Sequence, residues 1–146
     1  MKEGTPDRPR ARVLVVDDSA FMRTALSHMI DAEPDLEVVG SACSGACALE
    51  KIASLDPDIV TLDVNMPGLD GLGTLRRIMT HFPRPVIMVS ATTEKDAETT
   101  LAALSAGAFD CVPKQLSSTS LDIAHIRPDL LSQIRGAVHA RNARSL

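Results

Sequence analysis

Four apolar runs in this chain end in side chains capable of chemistry. Asp17 and Asp18 close VLVVDD, Asp63 closes DIVTLD, Ser90 closes PVIMVS and Lys114 closes FDCVPK. Three carboxylates, a hydroxyl and an ammonium brought together suit one divalent cation and one phosphoryl group, with Asp63 central. A Mg²⁺ ion takes about six oxygen ligands, usually one or two carboxylates completed by water and phosphate oxygens. Asp18 and Asp63 are candidate direct ligands, and Asp17 a ligand either directly or through water. A carboxylate can also attack a phosphoryl group to give an acyl phosphate. Charge spreads onto the equatorial oxygens during such a transfer, so catalysis is mostly positioning and electrostatic stabilisation. The cation and Lys114 would supply the positive charge, and Ser90 would donate a hydrogen bond to a phosphoryl oxygen.

Each feature taken singly has a plainer explanation. Adjacent aspartates are common in loops, Ser90 could cap a strand, and Lys114 could be a solvated lysine. Asp70–Gly71 is first of all a turn signal. The coincidence of four strand ends, each with a needed group, outweighs these. No G-x-G-x-x-G precedes the acids and no G-x-x-x-x-G-K-[ST] occurs, which excludes a dinucleotide fingerprint and a P-loop.

The elements that must position these groups alternate. Val13–Val16 is a continuous apolar run, as expected for a strand buried on both faces. Ser19 is placed to cap a helix whose apolar residues recur as Met22, Ala25, Leu26, Met29 and Ile30. Leu36–Gly40 reads as a strand. Ser44 opens a second helix, with Leu49, Ile52 and Ala53 facing inward. Ile59–Leu62 is a third strand, and the helix after NMPGLDGL carries Leu75, Ile78 and Met79. Val86–Val89 is a fourth strand. Glu94–Ala106 reads as a helix with Ala97, Leu101 and Leu104 on its inner face, closed by Gly107. Phe109–Val112 is a fifth strand. A last helix starts near Pro128, with Leu130, Leu131, Ile134 and Val138 inward. Strands alternating with helices imply βαβ units and a mainly parallel, doubly wound α/β sheet. Ligands in such folds bind outside the C-terminal strand ends.

The chain has 146 residues, enough for one domain with a core, and a hydrophobic fraction of 45% argues against disorder. Aromatics are only 2%, with no Trp or Tyr, so the core must be aliphatic and a stacking platform for single-stranded nucleic acid is not expected. The basic residues gather at the ends. Residues 13–126 hold 7 basic and 16 acidic side chains, a net charge of −9. That acidic body argues against nucleic-acid binding and favours a cation. No apolar stretch is long enough to span a bilayer, and no secretory signal is visible, so no membrane insertion and a cytoplasmic location are expected. Cys43, Cys47 and Cys111 are expected to be reduced, small buried residues, since His28, His81, His125 and His139 are not spaced to complete a zinc site with them.

VLVVDDSAFMR, TLDVNMPGLDGL, PVIMVSA and GAFDCVPK resemble, in order and spacing, the receiver domain of two-component response regulators. The resemblance covers residues 11–114, and the last helix also fits. It implies a flavodoxin-like (βα)5 fold with strand order 2-1-3-4-5. It implies that Asp63 accepts phosphate from a histidine kinase, with Mg²⁺ as cofactor held by Asp17, Asp18, Asp63 and the backbone carbonyl of Asn65. Ser90 then matches the switch hydroxyl and Lys114 the lysine that contacts the phosphoryl group. On this reading residues 1–11 are a flexible tail, 12–143 the receiver domain, 115–126 a Ser-rich segment before the last helix, and 144–146 a tail.

DDSAFMR, PVIMVSA and GAFDCVPK followed by SLDI are similar to the receiver half of chemotaxis protein-glutamate methylesterases. That likeness implies a chemotaxis-type kinase as partner, with a C-terminal effector domain or the chemoreceptor complex as further partners. Only 32 residues follow Lys114 and no G-x-S-x-G is present, so this chain is not expected to demethylate a receptor itself. The alternatives are a stand-alone response regulator and an aspartate-nucleophile phosphatase. The second is disfavoured because Asn65 stands where such phosphatases carry a general acid. Two departures from the receiver pattern stand out. Cys111 occupies the position three before the lysine where receivers carry Tyr or Phe, too small for an aromatic lever. Gln115 replaces the usual Pro after the lysine, where a cis bond would now be costly. Asn65 and Thr92 flank the site and could tune hydrolysis by the access they give water.

Overall fold

The structure, a computed structural model, describes residues 10–64, 66, 68–91, 94–114 and 125–144. Five strands, β1 (Ala11–Val16), β2 (Leu36–Ala42), β3 (Ile59–Asp63), β4 (Val86–Ala91) and β5 (Asp110–Lys114), form one sheet. All neighbours are parallel, in the order β2-β1-β3-β4-β5. The helices between and after them are α1 (Ala20–Asp31), α2 (Gly45–Leu55), α3 (Gly71–His81), α4 (Glu94–Ser105) and α5 (Arg127–Arg144). The flavodoxin-like order expected from the sequence is the one observed.

The strands read as unbroken apolar runs because both faces of the sheet are covered. On one face Val13, Val15, Ile59, Ile87 and Val112 pack against Leu26 and Ile30 of α1 and Leu130, Ile134 and Ala137 of α5. On the other, Leu14, Val16, Val60, Leu62 and Met88 pack against Ala48 and Ile52 of α2, Leu75 and Ile78 of α3 and Ala103 of α4. The chain leaves β1 toward β2, then returns past β1 to β3. This reversal leaves a crevice between the C-terminal ends of β1 and β3, where right-handed crossovers diverge to opposite faces.

Helix starts are fixed by caps. Ser19 Oγ accepts from the Met22 N–H (3.3 Å), Ser44 Oγ from the Cys47 N–H (3.2 Å) and Asp70 Oδ1 from the Gly73 N–H (2.7 Å). Gly107, at φ +110°, ends α4 as expected.

Several expectations are corrected. β1 begins at Ala11, whose N–H donates to the Asp35 carbonyl (3.0 Å). Strand β2 runs on to Ala42, and β5 begins at Asp110, so Phe109 precedes it and is partly exposed. Ala53 faces solvent, and Ala48 takes the inward place on α2 beside Ile52. The inner face of α4 is not the Ala97, Leu101 and Leu104 face expected from the sequence: Leu101 is 67% exposed and Leu104 41%, while Ala103 is wholly buried. Apolar residues surround this helix, so periodicity alone does not select a face. Ala103 instead packs into the layer with Met88 and Val86 of β4. Ala97 lies outside the residues whose side chains are described. Val138 is half-buried at the rim of the α5 contact.

Candidate functional site

Asp17 is the first residue after β1, and hydrogen bonds to three neighbouring segments help hold it. Its N–H donates to the carbonyl of Ala42 at the end of β2 (3.0 Å). Its Oδ1 accepts from the Ser19 N–H (2.9 Å), and its carbonyl accepts from Arg23 Nη1 on α1 (2.7 Å). The residue is fully buried, whereas Asp18 beside it is exposed. Asp63 is the last residue of β3 and is also buried. The next residue continues the sheet contact, with the Val64 N–H donating to the Val89 carbonyl of β4 (3.2 Å).

The crevice therefore gathers the acids as the sequence suggested. One carboxylate oxygen from each of Asp17, Asp18 and Asp63 lies within 4.8 Å of the others. Two unit charges at that separation repel by about 3–4 kcal/mol in an effective dielectric of about 20. Such a cluster needs a compensating positive charge. The donors are all carboxylate oxygens, the set preferred by hard divalent cations over softer transition metals. Asp18, on the solvent side, leaves the crevice open for an ion to enter.

Ser90 and Lys114 occupy the adjoining strand ends by backbone position. Asp63 pairs with Val89 of β4, so Ser90 follows one residue beyond it. Ser90 pairs with Pro113, and Lys114, which closes β5, pairs with Ala91. The side chains of Ser90 and Lys114, and all of Asn65, Thr92 and Gln115, lie outside the described residues.

Cys111 sits on β5 opposite Met88, half-buried in the layer facing α4. Burial pushes its thiol pKa up, opposed by a hydrogen bond with Thr100 of α4. The position thus touches α4 through a small polar contact. Cys43 is exposed rather than buried, and Cys47 half-buried. Among the described residues neither belongs to a metal-holding cluster.

Two contributors went unrecognised in the sequence. Arg23 holds the backbone of Asp17 from α1, six residues on, and carried no signal beyond its place in DDSAFMR. Gly71, read as half of a turn, lies directly against the Asp63 peptide, and its N–H donates to the Val64 carbonyl (3.0 Å).

A family model described as the response regulator receiver domain matches residues 13–125. Protein-glutamate methylesterase/protein-glutamine glutaminase 1 of Oleidesulfovibrio alaskensis is 52% identical over 130 residues, covering 89% of this chain. The match spans only 35% of that relative, so this chain corresponds to about a third of it. The crystal structure of the response regulator domain of Thermotoga maritima CheB superposes with a TM-score of 0.83 at 48% identity, covering 89% of this chain and 97% of that one. A chain of the CheX-CheY-BeF3-Mg²⁺ complex from Borrelia burgdorferi superposes with a TM-score of 0.71 at 29% identity, over 88% of this chain and 89% of that one.

Proposed function

Since this chain belongs to the response regulator receiver domain family, we propose that Asp63 is its phosphoacceptor. The observation that carries the reading is the gathering of the Asp17, Asp18 and Asp63 carboxylates at the β1/β3 crevice. An Asp63 oxygen attacks the phosphorus of a histidine kinase's phosphohistidine. The new P–O bond forms as the P–N bond breaks, and the imidazole leaves with the electron pair and takes up a proton. The product is an acyl phosphate on Asp63.

A Mg²⁺ ion held by Asp17, Asp18, Asp63 and the Asn65 carbonyl would neutralise charge on the phosphoryl oxygens. Asp17, tied to β2 and α1 by its backbone, keeps one carboxylate of the pocket fixed. From their strand-end positions Ser90 donates a hydrogen bond to one phosphoryl oxygen and Lys114 offers an ammonium to another. That a structurally similar complex contains CheY together with BeF3 and Mg²⁺ supports a divalent cation as cofactor.

The resemblance to methylesterase receivers supports reading this module as the regulatory domain of a protein-glutamate methylesterase, one that takes phosphate from a chemotaxis-type kinase in the cytoplasm. The described residues contain no helix long and apolar enough to cross a membrane. A methylesterase domain encoded downstream of Leu146 is the expected finding. A stop codon there would make the chain a stand-alone regulator.

Acetyl phosphate with Mg²⁺ is expected to add the mass of one phosphoryl group to the chain. Asp63→Asn should abolish the gain, and omission of Mg²⁺ should suppress it. No gain in the unsubstituted chain under these conditions would overturn the assignment.

A further inference from the structure

Asp70–Gly71 does more than turn the chain. Asp70 caps α3 through Oδ1, while its carbonyl accepts from both the N–H (2.9 Å) and the Oγ1 (2.8 Å) of Thr74. This seats the first turn of α3 on the peptide that follows Asp63. A β-carbon on Gly71 would overlap the Asp63 carbonyl oxygen and stand 2.6 Å from Val64 Cα and 2.8 Å from the Val64 carbonyl oxygen. All three are backbone atoms at the end of a central strand, so no side-chain rotation can relieve the overlap.

A second contact of the same kind lies one layer out. A β-carbon on Gly45, the first residue of α2, would overlap Thr74 Oγ1 and stand 2.9 Å from the Leu69 carbonyl oxygen. The start of α2 therefore rests on the loop after Asp63 and on the first turn of α3. Helix α2 is joined by two residues to Ala42, whose carbonyl accepts from the Asp17 N–H (3.0 Å). A path of close contacts thus links the β1 acid to the β3 acid around the outside of the crevice, through Ala42, Gly45, Thr74 and Gly71.

We infer that Gly71 and Gly45 are positioning residues that set the spacing of Asp63 from Asp17 and Asp18, and with it the affinity for the divalent cation. The inference rests on the reading of Asp63 as phosphoacceptor beside a cation site. A methyl group on Gly71 must push two backbones apart, and one on Gly45 must displace the Thr74 hydroxyl and crowd the Leu69 carbonyl, because apolar atoms pack best at about 3.5–4.0 Å. Displacements of about 1 Å at a reacting geometry cost on the order of a hundredfold in rate.

The test measures Mg²⁺ affinity by calorimetry and phosphorylation rate with acetyl phosphate, on the whole chain. Gly71→Ala is expected to weaken Mg²⁺ binding by about 10–100-fold, the range for groups that orient metal ligands, and to slow phosphorylation most at low Mg²⁺. Gly68→Ala is the control. It lies in the same loop at φ +75° with nothing within 4 Å of a β-carbon, so it strains the loop without touching the contact, and Mg²⁺ affinity should hold.

Gly45→Ala should give a smaller loss, and adding Thr74→Ala should recover part of it by removing the overlapped hydroxyl. Folded Gly71→Ala and Gly45→Ala chains that bind Mg²⁺ as tightly as the parent would overturn the inference. Should Gly71→Ala fail to fold, the Gly45/Thr74 pair decides: recovery supports positioning, and simple addition of losses refutes it. A parent chain that neither binds Mg²⁺ nor takes up phosphate would instead remove the phosphoacceptor reading, and this inference with it.

Discussion

Cys111 stands where the resemblance to receivers leads to the expectation of an aromatic ring, and its surroundings give it a character of its own. The thiol is half-buried on β5 and bonded to Thr100. Because burial pushes its pKa up, less thiolate is present at any given pH, and the thiolate is the nucleophile. Cys43, by contrast, is exposed before the cap of α2. Iodoacetamide at neutral pH should label Cys43 well before Cys111, as read by peptide mass mapping, with the lag at Cys111 narrowing as pH rises. Faster labelling at Cys111 would contradict the burial described here. Thr100→Val removes the hydrogen bond that favours ionisation, so it should widen the lag. At this scale the acids were legible in the sequence because a strand buried on both faces cannot carry a charge until it ends. Asp17, Asp18 and Asp63 therefore announce the strand ends themselves. Gly71 was not legible, because a glycine required by a close backbone neighbour looks the same in sequence as one required by a turn.

Helix α5 is fastened to the rest of the molecule by charge as well as by its apolar face. Arg135 bonds to Glu33 (2.6 Å) and to both carboxylate oxygens of Asp35 (2.9 and 3.0 Å), and Arg127 bonds to Glu33 (3.1 Å). Arg141 pairs with Asp58. The basic C-terminal helix noticed in the sequence is thus partnered by acids beside β2 and β3. The Arg135 hydrogen bond, with help from Arg127, holds the Glu33 carboxyl below the usual carboxylate range. A depressed folded-state value means that Glu33 contributes stability above its unfolded pKa of about 4.3 and loses it as pH falls through the depressed value. Glu33→Gln should therefore lower stability by only about 0.2–1 kcal/mol near pH 7, the scale of exposed pairs. In denaturant melts the gap between parent and variant should close as the pH drops below about 4 and shrink with added salt. A gap that stayed constant with pH would assign the effect to packing. Helix α4 shows the limit of reading elements from period alone. With leucines and alanines on several sides, only the tertiary contact reveals that Ala103 faces the sheet and Leu101 faces solvent.

The whole molecule is a sheet with a separate apolar layer on each face, one under α1 and α5 and one under α2, α3 and α4. This architecture was legible because parallel sheets leave a distinctive trace: short apolar runs separated by amphipathic helices. The strand order itself came from resemblance rather than from pattern, since periodicity does not say which strand lies beside which. The two layers should respond to truncation as cores do. Ile134 of α5 is wholly buried, so Ile134→Ala should cost about 2–5 kcal/mol. The melting temperature should fall by about 2–4 °C for each kcal/mol in a chain of this size. Leu101→Ala on the exposed face of α4 should change stability by no more than about 0.5 kcal/mol. Comparable losses at both sites would mean that α4 is not seated as described.

The pairing of β1 with β2 slips by one residue: Val13 faces Val38, but Leu14 faces Gly40, which leaves Val39 as an extra residue on the outer strand. An inserted residue of this kind bends a strand and increases its local twist. Strand β2 is an edge of the sheet, and a long flat edge is a template on which another chain can add a strand. The slip at Val39 breaks the regular spacing of donors and acceptors midway along that edge. Sheet growth from one copy to the next through this edge, the first step toward fibrous aggregation, is thereby discouraged.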